Sequence, residues 1–515
     1  MVVRSKMFDL RGKMSLILLL LLMVTSVAAE DAVVQRGCRR GTPRPQSMLM
    51  RRVALAGQPK QAGGDFYHGD RHQLTVLVAF NDCAFKGDEA STIQQWDKIL
   101  NTENLTETPF KGSVHDYFLA QSYGDFNVIF DLQYVVLSES SIKYRSWDKS
   151  YGDADDDDEN SQYLVKDIME VLKTRDIDWS MYDWNGDGFI NQLLIVYAGK
   201  GMNNGGGSNS IWPHQWWMSE HLKDRQEGVY CDPIPVNDDN KQYLVDCYCA
   251  LAELTSKNDY GSFGTICHEY SHCFGLPDFY YNNTKVVGAW DLMDYGNYSG
   301  DGYCPPGYSA HERWLMGWLT PTELTESATI TDMPQLEEQP VAYLVRNDGW
   351  ENEYYFIENR QQTGWDASIP GQGVVVFHID FDPSIWTSTT VTPNSLSYKR
   401  YTIFPANNIT SSYQGAGWTY PYNGNNLLTN ESTPAATLNH LNTDDSKLMN
   451  KPVTNISVSA GLASFDFMGG APSGICTVHS TPNSQSSLFY TLDGRRVENP
   501  TKGIYIMNGK KVVIK

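Results

Sequence analysis

The sequence predicts an α+β domain followed by an all-β, sandwich-like domain. Three observations carry this. Short apolar runs are interleaved with helical periodicity up to about residue 320, which indicates strands mixed with helices. From Pro321 onward the helical patterns give way to short alternating runs separated by Pro, Gly and Asn, the texture of a β-sandwich. The chain has 515 residues, 41% hydrophobic and 20% charged, enough to bury more than one core. That composition excludes a mainly disordered chain and a polytopic membrane protein.

Residues 1–29 read as an export signal. Arg4, Lys6, Arg11 and Lys13 precede an apolar run over 15–24, and Val27-Ala28-Ala29 supplies small residues before Glu30. The run is too short to span a bilayer, and no later segment is long and apolar enough, so no stable membrane insertion is expected once the signal is removed. Residues 30–70 are basic and punctuated (Arg39-Arg40, Pro43, Pro45, Arg51-Arg52, Gly63-Gly64) and read as a pro-segment or linker, with Arg51-Arg52 a plausible activation cut of a zymogen. Residues 71–320 form the first domain. The run LTVLVAF at 74–80 predicts a buried strand, 93–100 and 163–172 predict helices, and 127–136 alternates as a strand does. A second buried strand at 192–198 ends in a glycine-rich loop over 199–207. The β domain covers 321–470, with strand-like runs at 342–346, 354–358, 373–379 and 400–404. A Gly/Pro/Ser joint opens the last segment, 471–515, where Asp493-Gly494 and Asn508-Gly509 signal hairpins. The acidic run 153–159 reads as an exposed loop.

Charge and cysteines narrow the setting. Forty Lys and Arg against 61 Asp and Glu give a net charge of −21, which repels nucleic acid, fits a secreted protein and suits calcium binding. The nine cysteines are an odd number, so at least one thiol stays free or pairs between chains; none lies in a CxxC pair.

The chemistry is concentrated in Cys267-His268-Glu269-Tyr270-Ser271-His272-Cys273-Phe274-Gly275-Leu276-Pro277-Asp278. On a helix His268 and His272 are four residues apart and leave the same face, which supplies two nitrogen ligands to one zinc ion. Glu269, next to the first histidine, is placed to act as general base toward a zinc-bound water. Gly275 lets the chain leave the helix and Pro277 keeps it from resuming. Asp278 then returns as the third ligand, leaving one position open.

The pattern HExxHxxGxxD resembles the metzincin motif, which carries a histidine in the last place and is followed by a methionine turn. The aspartate departs from that motif and changes the charge expected at the metal. The turn has a counterpart in Gly288-Ala289-Trp290-Asp291-Leu292-Met293-Asp294-Tyr295-Gly296, where Met293 fits the residue whose thioether floors the metal. With both pieces the sequence resembles the immune inhibitor A-like metallopeptidases. The likeness extends to the segment 183–191 with Ala198-Gly199-Lys200-Gly201 and Ile211-Trp212-Pro213-His214, and to Pro305-Pro306-Gly307-Tyr308-Ser309-Ala310 through Gly317-Trp318-Leu319. Glu358-Asn359-Arg360 and the run 373–380 extend it further, so that it covers roughly residues 70–470. The resemblance implies a metzincin-like catalytic domain and secreted endopeptidase activity on protein or peptide substrates. It also implies a role for Tyr295, two residues after Met293, where some metzincins place a tyrosine that stabilises the oxyanion.

Four further features carry expectations. Asp183, Asn185 and Asp187 alternate before Gly188, with Phe189 offering a carbonyl and Asn191 an amide, the front half of an EF-type calcium loop; position twelve is Leu194 rather than glutamate. Cys38, in an arginine-rich stretch, is a candidate latency thiol for the open zinc position. The tail resembles a sorting module that hands secreted proteins to an outer-membrane secretion machinery. His378 and Asp380 share a strand face and read as a core or surface pair before a second metal site. The whole predicts a secreted zinc metalloendopeptidase. The competing class, a calcium-dependent adhesion protein with an inactive peptidase core, is disfavoured by the intact Glu269 and ligand trio.

Overall fold

The computed structural model describes residues 67–145, 160–224, 229–237, 241–261, 263–281, 284–388, 391–395, 397–411 and 415–470, and the backbone of four short strands in the tail. The export signal, the pro-segment with Cys38, and the acidic run 153–159 lie outside the described residues.

The chain forms a mixed α/β structure. Its first half is built on a five-stranded sheet of β1 (Gly69–Ala79), β2 (Phe126–Val136), β3 (Leu193–Lys200), β4 (His214–Trp217) and β5 (Cys247–Leu254), in the order β2-β1-β3-β5-β4. The first four in that order are parallel, and β4 lies antiparallel to β5 at the edge. Parallel strands need both faces covered, and both are. Helices α1 (Glu89–Asn101), α2 (Val114–Gln121) and α4 (Phe263–Cys273) share a hydrophobic cluster with Leu77, Leu194, Val196, Cys249 and Leu251. On the opposite face α3 (Ser161–Leu172) buries Leu164, Val165, Ile168, Met169 and Leu172 against Val76, Ile195 and Tyr248. Local chemistry sets the helix starts: Asp88 accepts from the Ser91 amide ahead of α1, and Ser113 with Asp116 forms a capping box on α2.

The predicted strands and helices of this half appear at their expected places. Helix α2 and strands β4 and β5 had no clear sequence signal. Strand β5 reads CYCALAEL, buried almost throughout, and its alanines carry little strand preference.

The second half is all strand except for one-turn helices. After α5 (Ala310–Leu315), strands β6 (Tyr343–Asn347), β7 (Trp350–Arg360), β8 (Gly373–Asp380) and β9 (Tyr401–Ile403) pair antiparallel in sequence order, with Thr322–Glu323 added parallel to β6. A three-stranded sheet of Ala328–Met333, Leu462–Phe467 and Val453–Ser459 faces it. Tyr355, Ile357, Val374 and Val376 share a hydrophobic cluster with Ile330, Ile456 and Phe465 of that small sheet. The other face belongs to the first half. Tyr354, Phe356, Val375, Phe377 and Ile379 join one cluster with Leu276, Trp290, Leu292 and Met293. The hydrophobic core therefore runs straight across position 320.

A buried ionic set seals this junction. Arg360 pairs with Asp366 through Nε and Nη2, both at 2.5 Å, and with Glu358 at 3.0 Å, and donates to the Gly307 carbonyl at 3.0 Å. Glu358 accepts from the Ala310 amide at the start of α5. In the tail, the strands Gly503–Met507 and Lys510–Ile514 pair across the two-residue connection at Asn508-Gly509, as the hairpin signal predicted.

His311 on α5 lies at the junction, fully buried among the rings of Trp314, Tyr354, Phe356, Phe381, Trp386 and Tyr401. Burial pushes its pKa down from 6.5 to about 3. Between those values the unfolded chain binds a proton that the folded chain refuses, so this residue removes stability as pH falls from about 6.5. At pH 5 the loss is about 2 kcal/mol, from 1.36 kcal/mol per pKa unit. His311→Phe is expected to shrink the difference in unfolding free energy between pH 7 and pH 5 by that amount. Denaturant titrations at the two pH values check it, and an unchanged difference would refute the assignment.

Candidate metal centre

Helix α4 carries the first two candidate ligands and is buried along its whole length up to His272. Gly264 permits its close approach to the segment 296–302: a β-carbon there would sit 1.9 Å from the Asn297 carbonyl oxygen. The helix ends where the sequence predicts. Gly275 adopts φ 93°, in the left-handed region that side chains resist, and its amide donates to the His272 carbonyl. The chain then turns back, bringing Asp278 to the two histidines.

The ligand atoms of His268, His272 and Asp278 all lie within 4.8 Å of one another, and all three residues are buried. Among the described residues this is the only such group of three His, Cys, Asp or Glu side chains. His268 Nδ1 donates to the Leu292 carbonyl and His272 Nδ1 to the Leu276 carbonyl, each at 2.8 Å. A carbonyl only accepts, so each ring carries its hydrogen on Nδ1 and presents a bare Nε2 when neutral. Both Nε2 atoms face the same carboxylate oxygen, Asp278 Oδ1, at 3.2 and 3.4 Å. Three electron-rich atoms converge, and neither His272 Nε2 nor Asp278 Oδ1 completes a hydrogen bond. Such a centre attracts a cation, a proton or a metal ion, and two imidazoles with one carboxylate suit zinc. The donor set fits the metal.

Glu269 is buried beside the histidines and contributes to the electrostatics of His268. The turn that holds Met293 is tied directly to the ligands. Leu292 supplies the carbonyl for His268, the Phe279 amide donates to the Met293 carbonyl at 2.8 Å, and Asp291 Oδ1 accepts from the Met293 amide at 2.7 Å. Met293 itself is fully buried in the core cluster. The support from Leu276, Leu292 and Asp291 left no trace in the sequence, because two of the three act through the backbone.

The other predicted site residues fall elsewhere. Tyr295 is half-buried; its ring packs against Tyr298 and beneath the Lys285 ammonium. The loop at 183–191 is folded around Asp183, whose carboxylate accepts from the amides of Asp187 and Gly188. Asp187 accepts from the Phe189 amide, Asn191 Oδ1 from the Trp184 amide, and Asn185 Oδ1 is buried with no hydrogen-bond partner. Lys241 Nζ stands 3.1 Å from Asp183 Oδ2. His378 and Asp380 are partners of other groups: His378 meets Glu353 at 2.7 Å, and Asp380 meets Arg400 and His440.

Comparison with known proteins places this arrangement in a class. Residues 74–316 match the model of the immune inhibitor A peptidase M6 family, catalytic domain. That segment is similar to immune inhibitor A-like metallopeptidase domains, a family that implies a metal, typically zinc. Over 175 residues the chain is 29% identical to immune inhibitor A of Bacillus thuringiensis subsp. alesti, a stretch covering 29% of this chain and 24% of that protein. The chain thus matches only about a quarter of that relative's length. A crystal structure of wild-type OgpA from Akkermansia muciniphila overlaps 65% of this chain and 92% of its own at 10% identity, with a TM-score of 0.24, a likeness too slight to bear on fold or function.

Burial works to lower both imidazoles. For His268 the neighbouring Asp278 and Glu269 outweigh it and raise the pKa to about 9, whereas His272 stays below its ordinary value. Burial acts to raise Asp278, yet the two histidines hold it down at about 2. A metal needs His268 unprotonated. Zinc uptake is therefore expected to release about one proton per ion at pH 7.5, with affinity falling about tenfold per pH unit below about pH 9. Calorimetric titration in buffers of different ionisation enthalpy reads the released proton directly, and heats independent of buffer would contradict it.

Proposed function

We propose that the protein is a secreted zinc-dependent endopeptidase that hydrolyses peptide bonds of proteins. The convergence of His268, His272 and Asp278 on one point, with Glu269 on the same buried helix, is the observation that carries this reading. When bound, zinc supplies Lewis acidity that polarises the scissile carbonyl and makes water a competent nucleophile at neutral pH. The protein's part is acid–base work and orientation. Glu269 takes the proton of the attacking water and delivers it to the leaving amine. The Leu292 and Leu276 carbonyls hold the two imidazoles with Nε2 toward the open centre. In this reading Tyr295, two residues after Met293, donates a hydrogen bond to the tetrahedral oxyanion. The export signal, the basic pro-segment and the strand-rich tail support secretion, with the tail as the element read by an export machinery. The net charge of −21 supports protein rather than nucleic acid as the partner.

The test is cleavage of denatured casein by the purified mature protein beside Glu269→Ala and Tyr295→Phe, with zinc measured in each. The wild type is expected to cleave. Glu269→Ala should retain zinc with turnover reduced by at least about 10²-fold, the scale of a lost general base. Tyr295→Phe should retain zinc and lose turnover with little change in KM. Turnover of Tyr295→Phe equal to wild type would remove that residue from the reaction, and zinc-loaded wild type without cleavage would sink the peptidase reading.

A structural calcium ion at 183–191 is a second element of the proposal, supported by the buried, unpartnered Asn185 oxygen. Calcium would have to displace the Lys241 ammonium from Asp183. Protein stripped by chelator and reloaded with zinc alone is expected to gain several degrees in Tm on adding calcium, in line with ligand linkage. A flat response would dismiss the loop as a calcium site.

A further inference from the structure

The residue that follows the candidate ligand Asp278 is gripped from a part of the chain far beyond the family-matched segment. The Phe279 carbonyl accepts from Asn394 Nδ2 at 2.8 Å, and the Phe279 ring stacks on Tyr401 with centroids 3.7 Å apart and planes 11° from parallel. Thr392 Oγ1 reaches the next carbonyl, that of Tyr280, at 3.3 Å. Asn394 also holds Tyr401: its Nδ2 donates to the Tyr401 carbonyl at 2.8 Å, and its Oδ1 accepts from the Arg400 and Tyr401 amides at 3.0 Å. The Tyr401 hydroxyl donates to Asp291 Oδ2 at 2.7 Å, and the other oxygen of Asp291 fixes the Met293 amide. Between Asp291 and Met293 lies Leu292, whose carbonyl orients His268. Asn394 and Tyr401 are both fully buried.

We propose that Asn394 and Tyr401, supplied by the second sheet, are positioning residues of the metal centre: they hold the Asp278 loop through Phe279 and the His268 partner through Asp291. The centre is then complete only when residues outside 74–316 are docked on it. This rests on the zinc-peptidase reading. Outer partners that orient metal ligands are worth about 10–100-fold in metal affinity, whereas a buried hydroxyl lost elsewhere costs stability alone.

Tyr401→Phe keeps the stacked ring and removes only the hydroxyl. Its control is Tyr355→Phe on β7 of the same sheet, where the hydroxyl donates to the Thr437 carbonyl at 2.6 Å on the opposite face. Zinc-loaded full-length proteins would be mixed with a chromophoric chelator while circular dichroism tracks folding. Tyr401→Phe is expected to lose zinc about tenfold faster than wild type with an unchanged spectrum, and to lose kcat at constant KM. Tyr355→Phe should lose zinc at the wild-type rate whatever its Tm. Asn394→Asp, which keeps the acceptor and removes the donors, is an independent variant should Tyr401→Phe fail to fold, and the same faster zinc loss is expected of it. Wild-type zinc retention in Tyr401→Phe, or equal loss in Tyr401→Phe and Tyr355→Phe, overturns the proposal while leaving the zinc reading intact. If the wild type itself takes up no zinc, the functional reading fails first.

Discussion

The complete burial of helix α4 is the constraint on which the rest of the structure depends. A surface helix leaves its polar side chains to water; this one has no solvent side between Phe263 and His272. Every polar group on it must find a partner inside the core or carry a cost of a few kcal/mol. Tyr270 donates to Gln73, Ser271 meets the Cys267 carbonyl and Tyr308, and the two histidines donate to backbone carbonyls of the segments that follow. The inward atoms of His268, His272 and Asp278 face one another instead, and their shared electron-rich character makes a cation the natural completion. Burial also makes each charge count, since Asp278 and Glu269 act on His268 across a medium far less polarisable than water. The site and the core are therefore one problem solved together.

Covering that helix explains the second half of the chain. The central sheet and helices α1 and α2 cover one side, and the segments after Gly275 together with strands β7 and β8 cover the remainder. Strand β8 is buried at all eight positions because both its faces meet cores, one shared with the metal site and one with the small sheet. The Arg360 set at the junction adds little net stability, since desolvating its members consumes most of the attraction. Its geometry is directional, however: a guanidinium bound side-on to Asp366 and end-on to Glu358 admits one docking angle. The two sequence stretches that resembled the family on either side of residue 320 are the two surfaces of this single contact.

Local features were legible in the sequence, and distant ones were not. The spacing of His268 and His272 follows from helical geometry, and Gly275 marks its own left-handed turn, so the ligand trio could be read from eleven consecutive residues. Strands 74–80 and 373–379 announced themselves as apolar runs, but periodicity reports how buried a strand is and not what buries it. An expectation of a sandwich for the second half says nothing of the larger sheet's other face, which packs against the segment that carries the candidate metal centre. Asn394 and Tyr401 were invisible for the same reason. They lie more than a hundred residues from Phe279 and Asp291, and neither belongs to a pattern with a fixed spacing.

The aspartate in the third ligand position gives these distant contacts their purpose. A histidine ligand is a rigid ring whose second nitrogen can be tethered, as Leu276 and Leu292 tether the other two. An aspartate carboxylate is shorter and carries no ring to anchor, and the chain around Asp278 has just left a glycine turn. Its direction then depends on the backbone that carries it. Here that backbone is fixed immediately downstream, by the Phe279 amide on Met293, the Phe279 carbonyl on Asn394 and the ring on Tyr401. If zinc were held here, the carboxylate would lower the net charge of the site by one relative to three neutral histidines and so temper the Lewis acidity supplied. An aspartate in this place therefore leans on the second sheet, whose Asn394 and Tyr401 steady the backbone just beyond it.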